Sequence, residues 1–176
     1  MKKYILFAIV TALSVLADQL AKLWVVSNLR YRVDEIEIIP GLLSFVHAQN
    51  RGAAFGIMQG QMLVFAVFTV LAIGVLGQML WQLDKDDRFQ SFALAMIASG
   101  AIGNAIDRAR LGYVTDFIRV YTDNPDISAF CIQYFGTNEW PSFNIADATI
   151  VVGLLMFLFH YLFLEKDDKE PEPVTT

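Results

Sequence analysis

Met62–Leu83 reads MLVFAVFTVLAIGVLGQMLWQL, 22 residues without one charge. A helix rises 1.5 Å per residue, so about 20 apolar residues cross a hydrocarbon core of about 30 Å. This stretch has the required length, and being apolar all round it predicts a scaffold helix that largely faces lipid. Three more stretches reach a comparable length: Tyr4–Val26, Phe89–Ile106 and Phe143–Leu164. The predicted fold class is an all-α polytopic membrane protein with four transmembrane helices.

Composition agrees. Of 176 residues 56% are hydrophobic and 18% charged, with a mean hydropathy of +0.48, too apolar for an ordinary soluble domain or a disordered chain. A net charge of −5 leaves no basic footprint for phosphate neutralisation, which argues against a nucleic-acid partner. The acids gather at Asp84/Asp86/Asp87 and from Glu165 to Glu172, as solvated edge and tail segments. The single cysteine, Cys131, allows no internal disulfide or cysteine-cage metal site, and His47 and His160 lack HExxH spacing. No metal or cofactor is expected.

The first span has a rival reading as a cleaved signal peptide, because Lys2/Lys3 precede an apolar run and Val15-Leu16-Ala17 resembles a cleavage site. The run resumes through Leu23-Trp24-Val25-Val26, which favours a full-length span. Four spans put both termini on one side. The termini and the short Asp84–Arg88 loop hold six of the basic residues and the two long connections hold six, so per residue of short loop the bias favours cytoplasmic termini. Residues 1–164 then form one membrane domain, and 165–176 a charged, proline-bearing cytoplasmic tail predicted to be disordered.

The long connections, Ser27–Gln61 and Asp107–Pro141, should lie outside. In the first, Glu35–Ile39 and Leu42–Val46 flank Pro40-Gly41 and predict two short strands around a turn, in a small extracytoplasmic β element of about residues 30–56. The second mixes interface aromatics (Tyr121, Phe130, Tyr134, Phe135, Trp140) with turn formers such as Asn124-Pro125.

Ionisable groups in hydrocarbon cost about 2.5 kcal/mol or more each at mid-depth, so each needs a partner, an exit to water or a function. Asp18 and Lys22 stack one turn apart beside Gln19; the plain reading is a self-neutralised pair with Lys22 snorkelling to the interface. Asn50-Arg51-Gly52-Ala53-Ala54-Phe55-Gly56 reads as a tight turn re-entering the membrane. Gly103-Asn104-Ala105-Ile106-Asp107-Arg108 closes the third span with Asn104, Asp107 and Arg108 on one face, the last two pairing at the interface in the plain reading. Asp116 follows, embedded in Val114-Thr115-Asp116-Phe117-Ile118, and Phe143-Asn144-Ile145-Ala146-Asp147 opens the fourth span. With the termini inside, the end of span three, Asp116 and the start of span four all lie at the same outer membrane face. Two carboxylates in a partly dehydrated site share one proton and can supply a base and an acid together, which is the chemistry of peptide hydrolysis without metal or covalent intermediate.

Asp18-Gln19-x-x-Lys22, Asn50-x-Gly52-Ala53-Ala54-Phe55, Gly103-Asn104-x-x-Asp107-Arg108, Val114-x-Asp116-Phe117 and Phe143-Asn144-x-Ala146-Asp147, in that order, resemble the lipoprotein signal peptidase (signal peptidase II) family. The resemblance covers nearly the whole chain. It implies an aspartyl endopeptidase of the bacterial inner membrane that cuts diacylglyceryl-modified prolipoproteins just before the lipidated cysteine, with the active site at the extracytoplasmic face; the expected partners are that substrate and membrane lipid, and the expected state is a monomer. By motif match Asp116 and Asp147 would be catalytic. Asn50, Gly52, Asn104, Asp107, Arg108 and Asn144 would be supports or substrate contacts, with Asp18 and Lys22 more distant and structural. One departure is the stretch from Arg119 to Pro141, which is longer than the family pattern and leaves the two Asp 31 residues apart.

Two rival functions could use some of the same residues. An ion- or proton-coupled transporter would use intramembrane Asp, Asn and Lys, but predicts mid-membrane charges and repeat symmetry. A serine–lysine hydrolase would need Ser99 and Lys22, whose predicted depths disagree.

Overall fold

The computed structural model describes residues 2–52 and 61–164. The described elements are α1 (Lys2–Asn28), β1 (Glu35–Ile39), β2 (Leu43–Asn50), α2 (Met62–Gln82), α3 (Arg88–Leu111), β3 (Val114–Val120), α4 (Pro125–Phe135) and α5 (Ile145–Phe159), which ends in a π-helical turn, His160–Leu164. Four helices are long and apolar enough to cross a membrane: Lys2–Asn28, Met62–Gln82, Arg88–Leu111 and Ile145–Phe163. The chain is a multi-pass membrane protein with a small three-stranded sheet.

Helix α3 is central. More than half of its membrane window is buried, far more than in the other spans, and it packs chiefly on α5 and α1. Its sequence permits this, because Ala93, Ala95, Ala98, Ser99, Gly100 and Gly103 keep its surface small, and in lipid close backbone approach rather than hydrophobic burial drives helix association. A side chain on Gly100 would collide with the Ala146 carbonyl, and one on Gly153 would meet the Ala93 carbonyl at 2.7 Å. Helix α2 leaves most of its apolar surface uncovered, as a lipid-facing scaffold would: only Leu76 and Leu80 are buried, against Leu94 and Ala98 of α3. At its end Lys3 donates to the Trp81 and Leu83 carbonyls, tying α1 to the last turn of α2.

The sheet is antiparallel in the order β1-β2-β3, with Leu43 opposite Val120 and Asn50 opposite Val114. Phe117 of β3 packs on Val25 and Leu29, seating the sheet on the end of α1. The far edge of β3 is closed by Phe143, whose N–H and C=O bond Ile118 at 3.1 and 2.8 Å. That bridge sets Asn144 and the start of α5 beside Asp116.

Several expectations are corrected. The third span runs to Leu111 rather than Ile106, stopped by Gly112 in the left-handed region (φ 79°). Val114–Ile118 belongs to a third strand, and β2 extends to Asn50, so Asn50 ends a strand instead of opening a turn. The rest of that predicted turn, from Ala53 to Gly56, lies outside the described residues, as does the tail, 165–176. The Arg119–Pro141 connection contains a helix. Asn124 is its N-cap, accepting from Asp126 and Ile127 N–H at 3.1 Å each, and Pro125 fills the first turn.

Candidate active site

Three segments supply the polar residues. The last turns of α3 carry Asn104, Asp107 and Arg108; β3 carries Asp116; the first turn of α5 carries Asn144 and Asp147. Asn144 is the N-cap of α5 and Asp147 its third residue, in a reciprocal capping box. Asn144 Oδ1 accepts the Asp147 N–H at 2.9 Å, and Asp147 Oδ2 accepts the Asn144 N–H at 3.2 Å. The motif thus serves the fold as well as any chemistry, since it satisfies helix-end donors and sets the Asp147 side chain.

Because Asn144 Oδ1 is committed to the cap, its amide nitrogen faces the other way. It donates to Asp116 Oδ1 at 2.7 Å and to Asn104 Oδ1 at 3.2 Å. Asn104 Nδ2 in turn donates to Asp147 Oδ1 at 2.7 Å. Asn144 thus supplies an amide to Asp116 and Asn104 one to Asp147, and these two amides are themselves linked. Asn144 and Asp116 are buried, Asp147 half-buried.

Burial pushes the Asp116 carboxyl up to about 7, and the Asp147 charge adds to the rise; the Asn144 and Asn50 amides and the Lys22 charge oppose it. A carboxyl titrating near neutrality beside a second carboxyl can hold a proton while its neighbour accepts one. Asn50 Oδ1 also accepts the Gly52 N–H at 3.0 Å, fixing the chain where β2 ends.

Lys22 and Asp18 are closer to this centre than expected. Lys22 is 3% exposed, so it does not snorkel. Its ammonium meets Asp18 Oδ2 at 2.9 Å, Asn104 Oδ1 at 3.0 Å and Asp107 Oδ2 at 3.4 Å. Asp18 Oδ1 accepts the Ala146 N–H at 2.9 Å, a free donor of the first turn of α5. Asp107 does not pair with Arg108; it accepts the Thr115 N–H at 2.9 Å and so locks β3 to the end of α3. Gln19 joins both acids, its amide 3.2 Å from Asp18 Oδ2 and from Asp107 Oδ1. Gln19 and Thr115 were not singled out as site residues; Gln19's one signal was its place between Asp18 and Lys22.

Arg108 points elsewhere. Its guanidinium donates to the Gly52 carbonyl at 3.3 Å and stands 4.4 Å over the Phe65 ring of α2, half-buried at the mouth of the polar cluster. The serine–lysine pair is not assembled: Ser99 Oγ donates to its own helix at the Met96 carbonyl, 2.8 Å away, while Lys22 is held by other partners.

Residues 10–163 match a family model described as signal peptidase (SPase) II. The chain is 37% identical to a lipoprotein signal peptidase of Lactobacillus johnsonii over 94% of its length and 97% of that protein. It is 39% identical to one of Streptococcus pyogenes serotype M1, covering 92% and 95% of the two chains. A solved structure described as a bacterial membrane enzyme superposes with a TM-score of 0.77 at 27% identity, over 96% of this chain and 94% of the other.

Proposed function

The chain belongs to the signal peptidase II family, and from that membership we propose a membrane aspartyl endopeptidase in which Asp116 and Asp147 are the catalytic pair. The reaction is removal of the signal peptide from a prolipoprotein. The substrate carries a diacylglyceryl group on the cysteine that becomes the new N-terminus. The observation that carries the reading is the pairing of two carboxyls, one with a carboxyl pushed up to about 7, through two linked asparagine amides.

In this mechanism Asp147 accepts a proton from water as the water oxygen attacks the scissile carbonyl carbon. Asp116, protonated, donates to the carbonyl oxygen as its charge grows, giving a gem-diol. The proton held by Asp147 then passes to the leaving amine, the C–N bond breaks, and the diol proton returns to Asp116. No group outside the chain and water enters the balance.

Acyl chains gain little in moving from lipid to a lipid-like groove, so selection of the lipidated substrate rests on packing and polar contacts near the glyceryl esters. Arg108 is suited to that task, with Asn50 and Gly52 beside it, whereas both ends of the Asn104 amide are engaged within the cluster. The location we propose is the inner membrane, with the pair at the extracytoplasmic face and the protein acting as a monomer. The test is cleavage of a diacylglyceryl prolipoprotein by the purified protein in detergent with EDTA present. Cleavage before the cysteine is expected, and an uncut substrate would overturn the reading. Nothing favours the transporter.

A further inference from the structure

An ammonium group has three donors and no acceptor. Those of Lys22 meet Asp18 Oδ2, Asn104 Oδ1 and Asp107 Oδ2, so Asn104 must turn its oxygen toward α1. Asn144 Nδ2, 3.2 Å from the same oxygen, imposes the same choice. The amide has one other end, and it faces Asp147 Oδ1 at 2.7 Å. Reversed, the amide would set NH2 against an ammonium and another NH2, and its oxygen against a carboxylate. Three favourable contacts would become repulsive ones.

We infer that Lys22 is a positioning residue for the peptidase reaction: by fixing which way round the Asn104 amide stands, it holds the Asp147 carboxylate in the orientation that accepts a proton from water. The inference rests on the aspartyl reading above. Oδ1 of Asp147 accepts from the Asn104 amide and Oδ2 from the Asn144 main-chain N–H, so the carboxylate is held at both ends while each oxygen keeps a lone pair with which to accept from water. Asp116, with its carboxyl raised to about 7, is the member that carries the proton in the mechanism above.

The charged groups around Asp147 are Lys22 and Asp18 from α1, Asp107 and Arg108 from α3, and Asp116 from β3. Of the two cations, Arg108 is bonded to the Gly52 carbonyl and stacked on Phe65. Of the two, Lys22 alone bonds the amide that touches Asp147.

The test is a kinetic cycle on the full chain in detergent, with a diacylglyceryl prolipoprotein as probe. Lys22→Met should lower kcat by about 10- to 100-fold with KM within about two-fold, since misorienting one supporting group acts on turnover and not on binding. Asn104→Ala should do the same, and the Lys22→Met/Asn104→Ala double variant should be no slower than Asn104→Ala alone. A cation that merely held the bundle together would give multiplying losses and a changed KM. Multiplying losses, or an unchanged kcat in Lys22→Met, would overturn the inference. If Lys22→Met does not accumulate, Asn104→Asp keeps an acceptor for Lys22 but sets an oxygen against Asp147. It should cost about 10-fold or more in kcat, and an unchanged kcat there is equally fatal. Asp147→Asn, measured alongside, separates the two levels. Wild-type turnover in Asp147→Asn removes the aspartyl mechanism itself, whereas an inactive Asp147→Asn beside a normal Lys22→Met removes only the role of Lys22.

Discussion

Asn144 donates its side-chain amide to Asp116 Oδ1 across 2.7 Å, and it can do so because its amide oxygen is already taken by the cap of α5. One residue thus does a structural and an electrostatic job with opposite ends of one group. Asn144→Ser separates them. Serine is also a good N-cap but is too short to reach Asp116, so Tm should stay near wild type while kcat falls by about 10-fold or more. Asn144→Ala removes the cap as well and should lose a further stability of about 1 kcal/mol. Thermal unfolding and single-turnover cleavage of both variants check this.

Asp116→Asn and Asp147→Asn should each abolish cleavage and leave a folded, membrane-inserted protein. Asparagine keeps the volume but cannot take a proton from water or share one with its neighbour. Acting as a unit, the pair should make the double variant scarcely worse than either single one. Appreciable single-turnover cleavage by matched amounts of either variant would sink the aspartyl mechanism.

The raised Asp116 carboxyl gives a pH dependence of definite sign. Its ordinary value is 3.8 and its value in the folded protein about 7, so between those limits the folded state binds more protons than the unfolded. Stability from this group is present at low pH and declines as pH rises through about 7. Activity should fall over the same alkaline limb, as Asp116 gives up the proton it must donate. Tm should be higher at pH 6 than at pH 8, and Asp116→Asn should flatten that difference. A kcat/KM profile flat across about pH 6 to 8.5 contradicts the assignment.

Arg108→Ala removes both the bond to the Gly52 carbonyl and the stacking on Phe65. Since Arg108 joins α3 to α2 at the rim of the site, the expected result is a rise in KM for lipidated substrate of about 5- to 50-fold. Lysine should restore little, having no planar group to stack. Unchanged kinetics in a folded Arg108→Ala protein would remove Arg108 from substrate recognition.

Topology is open to direct labelling. In a Cys131→Ser background with single cysteines at 34 and 86, an impermeant reagent outside sealed cells should mark 34 and spare 86. The opposite pattern reverses the orientation.

The four spans were legible because length and charge-free composition decide whether a helix suits hydrocarbon, and both are one-dimensional. The five polar motifs were legible for a related reason, as charges have to be accounted for wherever lipid surrounds them. What stayed hidden depends on partners far away in sequence. Lys22 read as a snorkelling side chain because depth alone suggests an exit to water, whereas Asn104 and Asp107, on another helix, give it a buried seat. Asp116 read as an acid between apolar residues of a connection, because the strand that carries it is defined by pairing with β2 and Phe143. Asn124-Pro125 supports a turn or a helix start equally well, and the helix that follows buries no residue that might have shown a periodic face.

Asp147 sits in the first turn of a spanning helix, and Asp116 on a strand locked to the end of another. The height of the pair is therefore set by the two helices themselves and not by a loop that can ride up or down. On the aspartyl reading proposed above, a bound prolipoprotein has to bring its scissile bond to that level. Such a centre works as a depth gauge. Sliding a substrate's cleavage point by a residue or two along its own apolar segment should defeat the enzyme even when every side chain around the cut is preserved.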